Sequence, residues 1–578
     1  MKFFHVYDER YSEGLEKNNL LNQDSGFKIQ HYFSMANDYK FNQIARKGSK
    51  LHSIIKENRL PFYVDRMAGG GLYHRYRFDQ ELIDEYIDIL GDWFLGFQLH
   101  ESSSCIMDND WKIIYEKTGA NKGPYTLEEL QRCVPDGFTT YYGQVLKQLG
   151  MLTIEEIAKS GLCYPETIED CFEGMRSFVR TRMDEVKGRI LPCDSFYLMT
   201  RIHDELGIRS FMPEVGWQIP MMRLEVAVAR GIAENANKTW GTYYEVWLDT
   251  VGVKCTLPSY NNSPANEWHL PQEKHNDDFS NYGPNGGSSR LLQNRIYYYS
   301  LMAGAHYMSE EWGLFCNYSD MNDFTLSPYG EVKKAFIHKA ETLRGIKADI
   351  PFAIVLPKRY GCVQIREKLY TYKPNSYMTY ALSKESSDDI NHIESVLELL
   401  FNKHGDEKPV LEDRVICNNG FGDVFDVIYE DAEDHIFSKY PYLIDATPGG
   451  EFFAKKPALA NKILLSDDLD RLSLEIKKLT GQVMPLYVDG RSTWLVSYDE
   501  HGKRYLSVFN NEGNTRTYHN GDEIDNTFDE AVTITLKKAT DFKPVAEGAF
   551  KCKLHKKDDL TYVLDVPATS FAIYEFEF

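Results

Sequence analysis

The stretch Asp92-Trp93-Phe94-Leu95-Gly96-Phe97-Gln98-Leu99-His100-Glu101 decides the reading of the fold. It is an apolar run that ends abruptly in Gln, His and Glu. Such a run reads as a strand buried on both faces, as in a parallel sheet. Polar residues then collect at the strand end, where α/β folds keep their chemistry.

Other segments end the same way. They are Lys2 to Asp8, Phe27 to Phe33, Pro61 to Arg66, Ile208 to Glu214, Thr242 to Trp247 and Ala305 to Trp312, and Ile190 to Phe196 is a further short strand candidate. Helical periodicity separates most of them. Ile44, Leu51, Ile54 and Ile55 predict a helix over about Tyr39 to Asn58, and Leu82, Ile83, Tyr86, Ile87 and Leu90 predict one over Phe78 to Leu90. Further helices are expected at Glu166 to Lys187, Met221 to Asn237, Leu291 to Met302 and Tyr329 to Arg344. Eight strands alternating with helices predict a (β/α)8 TIM barrel with its site at the strand C-termini.

The rest of the chain changes register. Pro351 to Pro357, a helix carrying Ile390, Ile393, Val396, Leu397 and Leu400, then Val424 to Tyr429 and Tyr442 to Ala446 predict a small Rossmann-like α/β domain. It holds no GxGxxG, so dinucleotide binding is not supported. From about residue 483, short alternating strands with Asp489-Gly490, Glu512-Gly513 and Asn520-Gly521 turns predict an antiparallel β-sandwich. The expected division is a barrel over 1–348, the α/β domain over 349–480 and the sandwich over 481–578.

Composition narrows the function. The 578 residues are too many for one core, and 43% apolar with 26% charged residues is a globular composition. A net charge of -21 argues against nucleic acid, which needs a basic face. No apolar run is long enough to span a bilayer and no signal peptide is read, so a cytoplasmic protein is expected. The ten Cys form no CxxC pair and predict buried free thiols. His269 and His275 lack a second clustered pair. No metal and no cofactor are expected. The polar segment 251–288 is long enough to serve as a lid over the site.

Two carboxylates facing each other across a barrel mouth can cleave a glycosidic bond, one as acid and one as nucleophile or base. Counted from Lys2, Glu101 ends the fourth strand, Glu214 the sixth, Glu245 the seventh and Glu311 the eighth. At these residues the chain resembles the large clan of (β/α)8 retaining glycoside hydrolases. That clan carries its acid/base after strand four and its nucleophile after strand seven. The three-part layout is similar to that of glycoside hydrolase family 42, as are Ala303 to Trp312, Leu326 to Glu331 and Val566 to Phe571.

The resemblance implies Glu101 as acid/base and Glu245 as nucleophile, in an exo-acting enzyme of small oligosaccharides or glycosides. By analogy it implies a homo-oligomer, a dimer or trimer. One residue departs from the pattern: the clan's Asn before the acid/base is His100 here, so His100 would have to bind the sugar 2-hydroxyl. Glu214 is the chief rival for the second carboxylate, and would suit an inverting enzyme. Arg66, Trp217, Trp247, Glu311 and Trp312 are candidate substrate contacts, the Trp residues by stacking on sugar faces. Two other classes remain open: a non-catalytic carbohydrate-binding protein on this fold, and a metal-dependent lyase or isomerase.

Overall fold

The structure is a computed structural model. It describes residues 1–29, 37–65, 77–100, 117–119, 121–133, 159, 168–194, 199–216, 221–246, 286–311, 316–320, 322–360, 384–402, 415–517 and 521–578. Glu101, Arg66, Trp217, Trp247, Trp312, His269 and His275 lie outside the described residues, as does nearly all of the 251–288 segment.

The first sheet is parallel throughout and has eight staves. They are β1 (Lys2–Val6), β2 (Ser25–Ile29), β3 (Phe62–Val64), β4 (Phe94–His100), β5 (Ile190–Cys193), a sixth made of β6 (Ser210–Phe211) and β7 (Glu214–Gly216), β8 (Thr239–Glu245) and β9 (Tyr307–Glu310). β1 pairs with both β2 and β9, so the chain ends of the sheet meet. The remaining gap, between the fifth and sixth staves, is closed by Met212 N–H donating to Pro192 O at 2.9 Å and Glu214 N–H to Asp194 O at 3.3 Å. The strand order read from the sequence is therefore the order in the barrel.

Two local expectations change. The single helix predicted over Tyr39 to Asn58 is two, Asn37–Ile44 and Lys50–Asn58. Gly48 between them sits at φ +78°, and Ser49 caps the second by accepting from His52 N–H. The fifth strand ends at Cys193 rather than Phe196.

One irregularity sets which side chains face the site. The register between β3 and β4 jumps, with Phe62 opposite Phe94 but Tyr63 opposite Gly96. Leu95 is the extra residue of a bulge. Gly96 adopts φ +92°, and a Cβ there would lie 2.2 Å from Arg189 O. Beyond the bulge Phe97 and Leu99 pack outward in the main core, while His100 turns inward onto Glu214 and the Tyr243 ring. Unbroken alternation from Phe94 would have aimed Leu99 inward and His100 outward.

The barrel interior below the mouth is a layer of Phe4, Tyr63, Leu95, Leu191, Cys193, Met212, Tyr243 and Tyr307. The outer faces pack against the helices, whose residues share one large core with them. Helix Met222–Asn235 is buried nearly all round because a second, parallel sheet covers its far side. That sheet runs Phe425–Tyr429, Phe352–Leu356, Tyr442–Asp445, Ile463–Leu465. The contact is close: a Cβ on Gly231 would lie 2.4 Å from Val427 O. Arg230 bridges it, with Nε 2.6 Å from Asp426 Oδ1 and a second nitrogen 3.1 Å from Asp423 Oδ2.

Two larger antiparallel sheets, with a two-stranded one of Asn514–Thr517 and Gly521–Ile524, complete the described chain. One has five strands, including Thr493–Tyr498, Arg504–Phe509 and Phe571–Phe576; the other has four, including Glu530–Leu536 and Thr561–Val566. The architecture is an α/β TIM barrel followed by a parallel α/β unit and antiparallel sheets.

His203, on helix Met199–Glu205, is buried, and neither ring nitrogen has a hydrogen-bond partner among the described residues. Burial holds its pKa down to about 3. The unfolded chain therefore takes up a proton below the ordinary value of 6.5 that the folded chain refuses. Stability falls as pH drops through that window, by about 1 kcal/mol between pH 6 and pH 5. Urea unfolding of His203→Phe is expected to show a flatter pH dependence there. An unchanged slope would mean that His203 does not carry the effect.

Candidate active site

Side chains that point into the barrel at its C-terminal end are polar on most staves. Glu214 lies opposite Tyr243, and Gly216 opposite Glu245, in the β7–β8 register. Residues paired this way point to the same face, so Glu214, Gly216, Tyr243 and Glu245 all face inward. Glu311 follows the last residue of β9.

Glu214, Glu245 and Glu311 converge. One carboxylate oxygen from each lies within 4.8 Å of the others, and all three residues are buried. Carboxylates this close repel one another when ionised. His100 borders the group, with Nε2 3.8 Å from Glu214 Oε1. Its ring meets that of Tyr243 edge-on, with centroids 5.7 Å apart.

Gly216 has a specific reason to be glycine. A Cβ there would lie 2.3 Å from Glu245 Cβ and 2.8 Å from Glu245 Oε2. The missing side chain is the space that the Glu245 carboxylate occupies.

Close by is a buried ion pair that sequence reading did not single out. Lys28 Nζ lies 2.8 Å from Asp65 Oδ2 and donates to Glu310 O at 2.7 Å. Both residues are at most 1% exposed. Tyr243 Oη donates to Asp65 Oδ2 at 3.2 Å, and Lys28 Nζ stands 4.8 Å from the centre of its ring. Tyr63 Oη and Ser309 Oγ are 2.6 Å apart. Burial, with Asp65 and Tyr243 next, pushes the Tyr63 phenol well above its ordinary value. A signal was present in Phe27-Lys28-Ile29 and Tyr63-Val64-Asp65, where a charge occupies the inward step of an apolar strand.

The two neighbouring glutamates of the eighth stave part company. Glu311 joins the mouth. Glu310 points outward, where Lys333 pairs with it and the Tyr297 and Tyr329 hydroxyls donate to it. Burial, then the Glu310 carboxylate, raises both phenols well above the ordinary value. Glu310 is thus a structural charge between helices Arg290–Met302 and Pro328–Ala340. Of the sequence-derived candidates, the structure brings together His100, Glu214, Glu245 and Glu311.

No protein-family model matches the chain, and no curated protein sequence does. Solved structures similar to it include the alpha-L-fucosidase isoenzyme 2 from Paenibacillus thiaminolyticus, at TM-score 0.39 and 10% identity over 100% of both chains. Another is a polyextremophilic beta-galactosidase from the Antarctic haloarchaeon Halorubrum lacusprofundi, at TM-score 0.42 and 10% identity over 100% of this chain and 99% of that one. Overlaps of this size say nothing about chemistry.

Proposed function

We propose that the chain hydrolyses glycosidic bonds in small oligosaccharides or glycosides by a retaining mechanism. Glu245 is the nucleophile and Glu101 the acid/base, on a family 42-like plan with units at 1–348, 349–480 and 481–578. The observation that carries the reading is the convergence of Glu245 with Glu214 and Glu311 at the C-terminal mouth of the barrel. Carboxylates placed there can serve in turn as nucleophile, proton donor and ligand to sugar hydroxyls.

Glu214 is the second choice for acid/base, because its oxygen lies within 4.8 Å of one on Glu245. That spacing is near the ~5–5.5 Å of retaining pairs and short of the roughly 6.5–9.5 Å that leaves room for an inverting water. It weighs against an inverting role for Glu214. His100 stands where a sugar hydroxyl could be bound, beside Glu214.

The test is hydrolysis of a panel of aryl glycosides, with the anomeric configuration of the first-formed product read by NMR. Retention is expected. Glu101→Ala should lose activity on poor leaving groups and keep it on activated ones. If Glu214→Gln shows that pattern and Glu101→Ala does not, Glu214 is the acid/base. An inverted product overturns the mechanism, and a wild type that binds sugars on the panel but cleaves none overturns the enzyme reading.

Gly216→Ala bears on the same site without removing a carboxylate. Its methyl group would displace the Glu245 side chain. A shift of about 1 Å in a reacting group costs on the order of 10²-fold. kcat is expected to fall by that amount with KM little changed, measured by steady-state kinetics. Unaltered kcat would mean that Glu245 does not react.

A further inference from the structure

We propose that His100, Cys193 and Glu214 form a binding site for a divalent cation of the zinc class. The three residues come from adjacent staves. His100 and Cys193 are direct register partners across β4 and β5. Glu214 N–H donates to Asp194 O and so draws the sixth stave alongside. One ligand-capable atom from each residue lies within 4.8 Å of the other two. All three are buried, at 6%, 0% and 1% exposure.

The donor set has a chemical preference. Imidazole nitrogen, thiolate sulfur and carboxylate oxygen together suit zinc, whereas magnesium and calcium take oxygen alone. Two ligands on one tetrahedral zinc lie roughly 3.3–3.6 Å apart, given bond lengths of about 2.0–2.3 Å. The His100 Nε2 to Glu214 Oε1 distance of 3.8 Å is near that figure and longer than a hydrogen bond.

Three protein ligands leave a fourth position open, the pattern of a zinc that handles water or a substrate hydroxyl. A bound ion makes Glu214 a ligand, which removes it as a proton carrier and leaves Glu245 as the carboxylate of that pair not bound to the ion. The site departs from the sequence expectation of no metal because His100 and Cys193 are 93 positions apart, with no motif spacing to link them. It does not depend on glycoside hydrolysis.

The experiment uses the full chain, stripped with a chelator and dialysed against zinc or cobalt(II). One equivalent of zinc per chain is expected by elemental analysis. Cobalt should give a thiolate-to-cobalt charge-transfer band in the near ultraviolet. Cys193→Ser should abolish the band, His100→Ala should weaken zinc binding by tenfold or more, and Cys552→Ser, just before the strand Lys553–Lys556, should leave both unchanged. Far below one equivalent in the folded wild type overturns the site. So does a cobalt band that survives Cys193→Ser.

Discussion

Glu245→Gly is expected to lower hydrolysis of aryl glycosides by on the order of 10⁴-fold or more, the loss that follows removal of an essential nucleophile. Glu245 ends β8 and is buried. Gly216 opposite it has no side chain. The variant leaves a hole beside Gly216 large enough for a small anion. Added azide should enter it, restore turnover on activated substrates and yield a glycosyl azide of inverted configuration. The mechanism then reads out in the product as well as in the rate. If Glu245→Gly retains wild-type turnover, Glu245 is not the nucleophile, and Glu214 and Glu311 become the carboxylates to test.

Lys28→Met is expected to cost about 3–5 kcal/mol of stability, the usual penalty for removing one member of a buried ion pair. Asp65 is fully buried, and Lys28 supplies its ion pair at 2.8 Å. The Tyr243 hydroxyl also donates to Asp65. Met fits the stem of the lysine, so the loss reports charge rather than volume. The double variant Lys28→Met, Asp65→Leu should regain most of the loss, since an apolar pair of similar volume is often as stable as a buried ion pair. Urea unfolding of the three proteins measures this. A single variant as stable as wild type would show that the ion pair adds no net stability.

Much of the barrel could be read from one chain because a buried parallel strand is apolar to its end and then becomes polar. Phe94 to His100, Thr239–Glu245 and Tyr307–Glu310 all follow that pattern. Helical spacing between them supplied the alternation and hence the parallel order. Glu214, Glu245 and Glu311 were legible as strand-end carboxylates for the same reason. That they meet was not, because the distance between three staves is a property of closure.

The sequence by itself determined the eight-strand order, the α/β unit that follows, the antiparallel end of the chain and the placing of carboxylates at strand termini. These rest on local periodicity and burial, which each segment carries within its own few residues. Only the tertiary structure decided which side of a strand faces the site. The bulge at Gly96 turns His100 inward because Arg189, far along the chain, occupies the space a side chain would need. Tertiary packing alone sent Glu310 out to Lys333, kept Glu311 in the mouth, paired Lys28 with Asp65 and set His100 beside Cys193. A one-residue step in register moves a side chain from one face of a sheet to the other, and that step is fixed by contacts between segments distant in sequence.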